Sequence, residues 1–62
     1  MKGKIHVDLG NKSAEITDSE GKHVGTWSGV TRSSAEEVTN TKRVSEWKLD
    51  GEANGFIADV EY

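Results

Sequence analysis

The chain has 62 residues, and we expect one compact domain over residues 1–62. Domains of about 60 residues are already marginal in stability, so the chain is too short to divide into two. Charged residues make up 31% of it and the net charge is −3, yet Lys42-Arg43 is the one adjacent basic pair, so the clustered cations that nucleic acid requires are missing. The absence of cysteine excludes disulfides and thiolate metal sites and fits a reducing compartment such as the cytoplasm.

The N-terminal segment does not have the pattern of a leader or an anchor. Residues 1–4 are basic, but the apolar stretch of a secretory signal does not follow them. No apolar run in the chain approaches the roughly 20 residues of a membrane-spanning helix. The sequence therefore predicts a soluble protein that does not contact a membrane.

The first predicted element is a hairpin. Residues 5–9 alternate between apolar and polar side chains, and Gly10-Asn11 is a Gly-first pair suited to a two-residue type II′ turn. That turn places Ile5 opposite Ile16, and a slip of one residue would move every apolar side chain to the wrong face. The predicted apolar face of the first three strands comprises Ile5, Val7, Leu9, Ala14, Ile16 and Val24.

A second turn extends the hairpin to a three-stranded meander. Residues 19–21 fit a three-residue loop with Gly21 in the left-handed conformation. Asp18 then faces Lys22 as a favourable cross-strand charge pair. In this register Ile16 faces Val24, which extends the apolar face to the third strand.

The polar middle of the chain predicts a short helix. Ser33 and Glu36, and likewise Ser34 and Glu37, have the spacing of a capping box. We expect a helix near residues 33–40, and a polar loop or a strand is the alternative.

The last third of the chain predicts a second hairpin. Residues 44–49 and 56–62 have strand character and flank a turn-rich segment, residues 50–55. Its register is open because Asp50-Gly51 and Asn54-Gly55 are both suitable turns.

Charge bears on that register. Placing Leu49 opposite Phe56 would put Glu46 opposite Asp59, and like charges directly opposite each other are unfavourable. We therefore expect a different alignment of the two strands. Trp47 has the apolar parity of this hairpin and is expected in the core.

The order is β-β-β, a short helix or loop, then β-β. It predicts a mainly β protein, a small five-stranded antiparallel barrel or curled sheet. In element order alone it resembles small OB or SH3-like barrels, a likeness that implies no function.

The polar face of the meander is the predicted partner-binding surface. His6 lies opposite Glu15, with His23 diagonal to Glu15 on the third strand. Trp27 has the same parity, and an indole on an outer face can stack on a ligand or a partner's side chain. The two imidazoles and the carboxylate could also bind zinc or nickel. A solvated cross-strand cluster is the simpler interpretation, so no metal and no cofactor are predicted. The predicted partner-binding residues are Trp27, His6, Glu15 and His23.

No catalytic motif is present in the sequence. A Gly-x-Ser-x-Gly elbow and a phosphate-binding loop are both missing. We expect a non-enzymatic protein that acts through protein–protein contact, as an inhibitor or an assembly component, with another protein or a second copy as partner. A viral (phage) or other mobile-element origin would fit such a chain. The alternatives are a small-ligand or nucleic-acid binding module that stacks on Trp27, and a designed chain without a natural partner.

Overall fold

The structure is a computed structural model that describes residues 1–50 and 54–62. Residues 51–53, part of the predicted last turn, lie outside the described residues. The described part is mainly β, as predicted. In chain order its elements are β1 (Lys2–Asp8), β2 (Ser13–Asp18), β3 (His23–Ser28), α1 (Ala35–Thr39), β4 (Lys42–Arg43), β5 (Lys48–Leu49) and β6 (Gly55–Glu61).

The described strands form one antiparallel sheet in the order β3-β2-β1-β6-β4, and β5 also pairs with β6. The sheet is open, with β3 at one edge and β4 and β5 at the other, so the predicted barrel is not supported. The short strands β4 and β5 give a physical reason: a two-residue strand offers few backbone groups for closure onto β3.

The register between β1 and β2 is the predicted one. Ile5 pairs with Ile16, and the remaining pairs keep the apolar side chains on one face. The turn differs from the prediction because Lys12, not Gly10, has a positive φ, of 50°. The Asp8 carboxylate instead caps the turn by accepting a hydrogen bond from the Gly10 N–H at 2.9 Å.

The pairing of β2 with β3 follows the prediction only as far as a β-bulge. Gly21 is left-handed, with φ 81°, and the Asp18 N–H donates to the Lys22 carbonyl at 2.9 Å, as the predicted loop requires. Ile16 then pairs with Gly25, not with Val24. Val24 is the extra residue of the bulge, so every later side chain of β3 points to the face opposite the predicted one.

Most of the hydrophobic core lies on one face of the sheet, and α1 and the segment before it cover that face. Val30 and Ala35 from this covering segment are fully buried against the sheet. We call this the inner face, and the opposite side the outer face. The buried inner-face strand residues are Ile5, Val7, Ala14, Ile16, Ala58 and Val60.

Two residues predicted for the apolar face are largely exposed. Val24 is 46% exposed because the bulge removes it from the ladder, and Leu9 is 36% exposed because it lies beyond the end of β1.

The predicted short helix is present as α1, but its predicted caps are not. The N-cap residue, Ser34, makes no side-chain hydrogen bond to the helix and instead accepts one from the Thr31 N–H at 3.0 Å. At the other end Asn40 is left-handed, with φ 54°, and its N–H donates to the Glu36 and Glu37 carbonyls.

The last hairpin takes the register that the charge argument disfavoured. Leu49 pairs with Phe56, so that expectation was wrong. Its premise fails because the strand is interrupted between β4 and β5, where the Ser45 hydroxyl accepts a hydrogen bond from the Asp59 N–H at 2.8 Å. Trp47 packs against the core, as expected, although it is only partly buried.

Candidate functional site

The outer face of the sheet carries no covering element among the described residues. Residues directly opposite each other in neighbouring strands share a face, so the pairings with β1 identify the members of the outer face. Its central residues are Lys4, His6, Glu15, Thr17, His23, Thr26, Ile57 and Asp59, of which Ile57, opposite His6, is the one aliphatic side chain.

Three of the four predicted site residues meet on this face. His6 lies opposite Glu15, as predicted, and its Nε2 is 3.3 Å from the Thr17 hydroxyl. His23 Nε2 is 3.7 Å from the Glu15 carboxylate and 2.7 Å from the Thr26 hydroxyl. The result is a set of partly exposed polar groups that can donate and accept hydrogen bonds.

This cluster does not have the form of a metal centre. Among residues 1–50 and 54–62, no group of three or more His, Cys, Asp or Glu side chains is placed to hold a metal ion. His23 Nε2, the atom nearest Glu15, already contacts a hydroxyl.

The fourth predicted residue, Trp27, lies on the inner face, so its predicted placement was wrong. It pairs with Ala14 and packs against the core, partly buried. Its indole folds back over its own strand: a Cβ atom at Gly25 would lie 2.8 Å from Cη2 of the ring. The bulge at Val24 is the physical cause, because it reverses the alternation of side chains along β3.

A groove crosses the outer face at the end of the sheet that holds the first half of β1. It has a volume of about 750 Å³. The turn after β2 lines one end of it and Val44 the other. Between them lie Lys2, Lys4, His6, Glu15, Thr17 and Asp59.

The groove is lined by charges of both signs. Lys4 Nζ lies 3.9 Å from Asp59 Oδ1, and these side chains are 59% and 54% exposed. An ion pair this exposed contributes little to stability, and both charged groups remain accessible to solvent.

Sequence reasoning missed the contribution of β6 and Val44 to this surface. It predicted only the pairings among the first three strands and gave no reason to place β6 beside β1. An antiparallel neighbour far along the chain leaves no local signal in the sequence. The charge of Asp59 opposite Lys4 would have supported that pairing once it was considered.

A second cluster, on the other side of the sheet, combines arginine and aromatic side chains. The Arg32 guanidinium lies 4.6 Å from the centre of the Phe56 ring, and Arg43 lies 5.5 Å from that of Trp47. Arg43 Nε also donates to the Glu36 carboxylate at 3.1 Å. The contacts of Arg32 with Phe56 and of Glu36 with Arg43 join the segment around α1 to the last strands, and we assign them a structural role.

A scan against protein families, a search of curated proteins and a search of solved structures each found no match. Within the described ranges, no helix has the length and apolar character needed to cross a membrane.

Proposed function

We propose that this chain is a non-enzymatic binding module that holds a partner protein on the outer face of its sheet, across the groove. The observation that carries the proposal is the difference between the two faces. α1 and the segment before it cover the inner face, whereas the outer face presents a groove of about 750 Å³ with polar side chains around it.

The lining of the groove favours a protein over a small molecule. Small-molecule sites bury most of the surface of their ligand, whereas this groove is wide and open to solvent. Here Lys4, Asp59 and Glu15 are charged, and their side chains are between 48% and 59% exposed. Such groups suit the polar contacts and bridging waters of a protein–protein interface.

The alternative of ligand stacking on Trp27 lacks a platform on this face. Trp27 lies on the inner side against Gly25, and no Trp, Tyr or Phe of the described residues belongs to the outer face. Proteins that bind single-stranded nucleic acid combine aromatic platforms with a basic groove, whereas this groove carries charges of both signs.

The charges of the groove predict the chemistry of the partner. A partner that presents a carboxylate near Lys4 and a cation near Glu15 would meet complementary potential at both positions. Complementary charges chiefly raise the association rate and exclude wrong partners. We therefore propose a partner surface of mixed charge.

The test compares two charge reversals that differ only in position. Glu15→Lys changes the outer face, and Glu37→Lys makes the same change at an exposed position in α1. Each variant and the wild type, checked for folding by circular dichroism, is immobilised to capture proteins from cells of the source, with quantification by mass spectrometry.

We expect a protein that the wild type and Glu37→Lys retain equally and that Glu15→Lys loses at least about tenfold, equivalent to about 1.4 kcal/mol. A protein retained equally by all three would show that binding does not involve the outer face. Equal loss from both variants would show a dependence on net charge alone.

A further inference from the structure

The two edges of the sheet differ in how well they resist pairing with another strand. At one edge the chain is broken into β4 and β5, and Lys42, Arg43 and Lys48 lie along it. At the other edge is β3, whose residues 25–28 carry no charge and no proline. Charge, proline, interruption and bulges protect an edge strand from pairing. The bulge of β3 lies at Val24, and residues 25–28 beyond it have none of these protections.

The hydrogen-bond phase of β3 shows which backbone groups face outward. The bond from the Asp18 N–H to the Lys22 carbonyl makes that pair hydrogen-bonded. Bonded and non-bonded pairs alternate in an antiparallel ladder. When this alternation is continued past the bulge, Trp27 and Ala14 form a hydrogen-bonded pair, whereas Thr26 and Ser28 belong to non-bonded pairs with β2. The N–H and C=O groups of Thr26 and Ser28 therefore point away from β2.

We propose that this chain forms a twofold-symmetric homodimer in which β3 pairs antiparallel with β3 of a second copy, centred on Trp27. In that register Thr26 of each copy lies opposite Ser28 of the other. Two such pairs supply about four backbone hydrogen bonds. This inference uses the edge of the sheet and does not depend on the outer-face proposal.

The side chains of β3 fit this register. Trp27 faces its own symmetry mate in a non-bonded pair, where the side chains of two strands approach most closely and aromatic pairs are favourable. Each indole is only partly buried in a single copy, so both have surface left to bury. On the outer face the hydroxyl of Thr26 lies beside that of Ser28 from the other copy.

Competing registers and partners fit less well. Centring the pair on Thr26 would give about two backbone bonds, because the next pair would fall on Val24 in the bulge. Each copy has a net charge of −3, so association is most favourable where the surfaces are neutral. Residues 25–28 are such a neutral segment.

The first test measures the amide hydrogen exchange of the full chain at several concentrations. We expect protection of the Thr26 and Ser28 amides to rise at least about tenfold between dilute and concentrated samples, because only the dimer gives them partners. The Trp27 amide, bonded to β2, should be protected at every concentration. Thr26 and Ser28 amides that exchange equally fast at all concentrations would overturn the proposal.

The second test is sedimentation equilibrium of the wild type, Thr26→Lys and Val38→Lys. Each variant adds one positive charge, the first at the β3 edge and the second at an exposed position of α1. We expect the wild type and Val38→Lys to show a concentration-dependent dimer and Thr26→Lys to weaken it at least about tenfold. A wild type that stays monomeric at millimolar concentration, or a dimer unaffected by Thr26→Lys, would contradict the assignment. If Thr26→Lys fails to fold, the concentration dependence of amide exchange in the wild type still tests the proposal.

Discussion

The two faces of the sheet differ in the chemistry and the burial of their side chains. On the inner face Ile5 and Ile16 are at most 1% exposed and belong to the core that α1 covers. On the outer face His6 and Glu15 occupy the neighbouring positions of the same strands and remain partly exposed. The comparison shows that alternate residues of one strand form the core and the solvent-exposed face, so the proposed binding surface can be changed without removing core side chains.

The largest effect is expected from truncating the centre of the inner face. Ile5→Ala should lower the free energy of unfolding by about 2–5 kcal/mol, since Ile5 is fully buried and its removal leaves a cavity. His6→Ala, the adjacent outer-face change, should alter it by less than about 0.5 kcal/mol. Urea denaturation of both variants measures the contrast, and equal losses would show that the faces are not separable.

A second substitution tests the contact between Gly25 and Trp27. Gly25→Ala should destabilise the protein by about 1–3 kcal/mol, because a Cβ atom there would overlap the indole ring. The emission of Trp27 should also shift to longer wavelength as the ring is displaced. Thermal unfolding and fluorescence report both effects, with Thr26→Ala on the opposite face as the control. Unchanged stability and emission in Gly25→Ala would mean that the indole does not lie on Gly25.

The interruption between β4 and β5 should be less costly to disturb. Ser45→Ala removes the acceptor of the Asp59 N–H and should cost about 0.5–1.5 kcal/mol. The free energy of protection of the Asp59 amide against hydrogen exchange should fall by a similar amount. The control, Ser33→Ala, changes an exposed hydroxyl outside the sheet. An Asp59 amide as protected in Ser45→Ala as in the wild type would show that another group accepts its hydrogen bond.

The smallest effect is expected on the outer face itself. A double-mutant cycle on Lys4 and Asp59, using alanine at each position, should give a coupling of about 0.2–1 kcal/mol that falls as salt is added. Chemical denaturation at two salt concentrations measures it. A coupling above about 2 kcal/mol that does not respond to salt would show that this pair is structural.

The sequence was sufficient for the β1–β2 hairpin because the apolar alternation of the two strands has one register that places every apolar side chain on the same face. It was insufficient for β3, where the loop after β2 was correctly predicted but one bulge residue reversed the faces. Glycine inside a strand often marks a bulge, so Gly25 after Val24 was a usable local signal. The face on which Trp27 lies depended entirely on the bulge at Val24.

The last hairpin shows another limit of sequence reasoning. The like-charge argument assumed a continuous strand from Val44 to Leu49, and a side-chain hydroxyl at Ser45 replaced the ladder there. A side-chain acceptor in place of a backbone one depends on contacts with β6 that form only in the folded chain. For the candidate site, His6, Glu15 and His23 were placed together correctly, because they lie before the bulge or on strands that it does not affect.

The measurement that tests the assignment of the two faces most directly is a nuclear Overhauser spectrum of the labelled protein. We predict cross-peaks from the indole protons of Trp27 to the Gly25 α-protons and to the Ala14 methyl group. Cross-peaks from the indole to the side chains of Glu15 and His6 in their place would contradict the bulge, and with it the division between inner and outer faces.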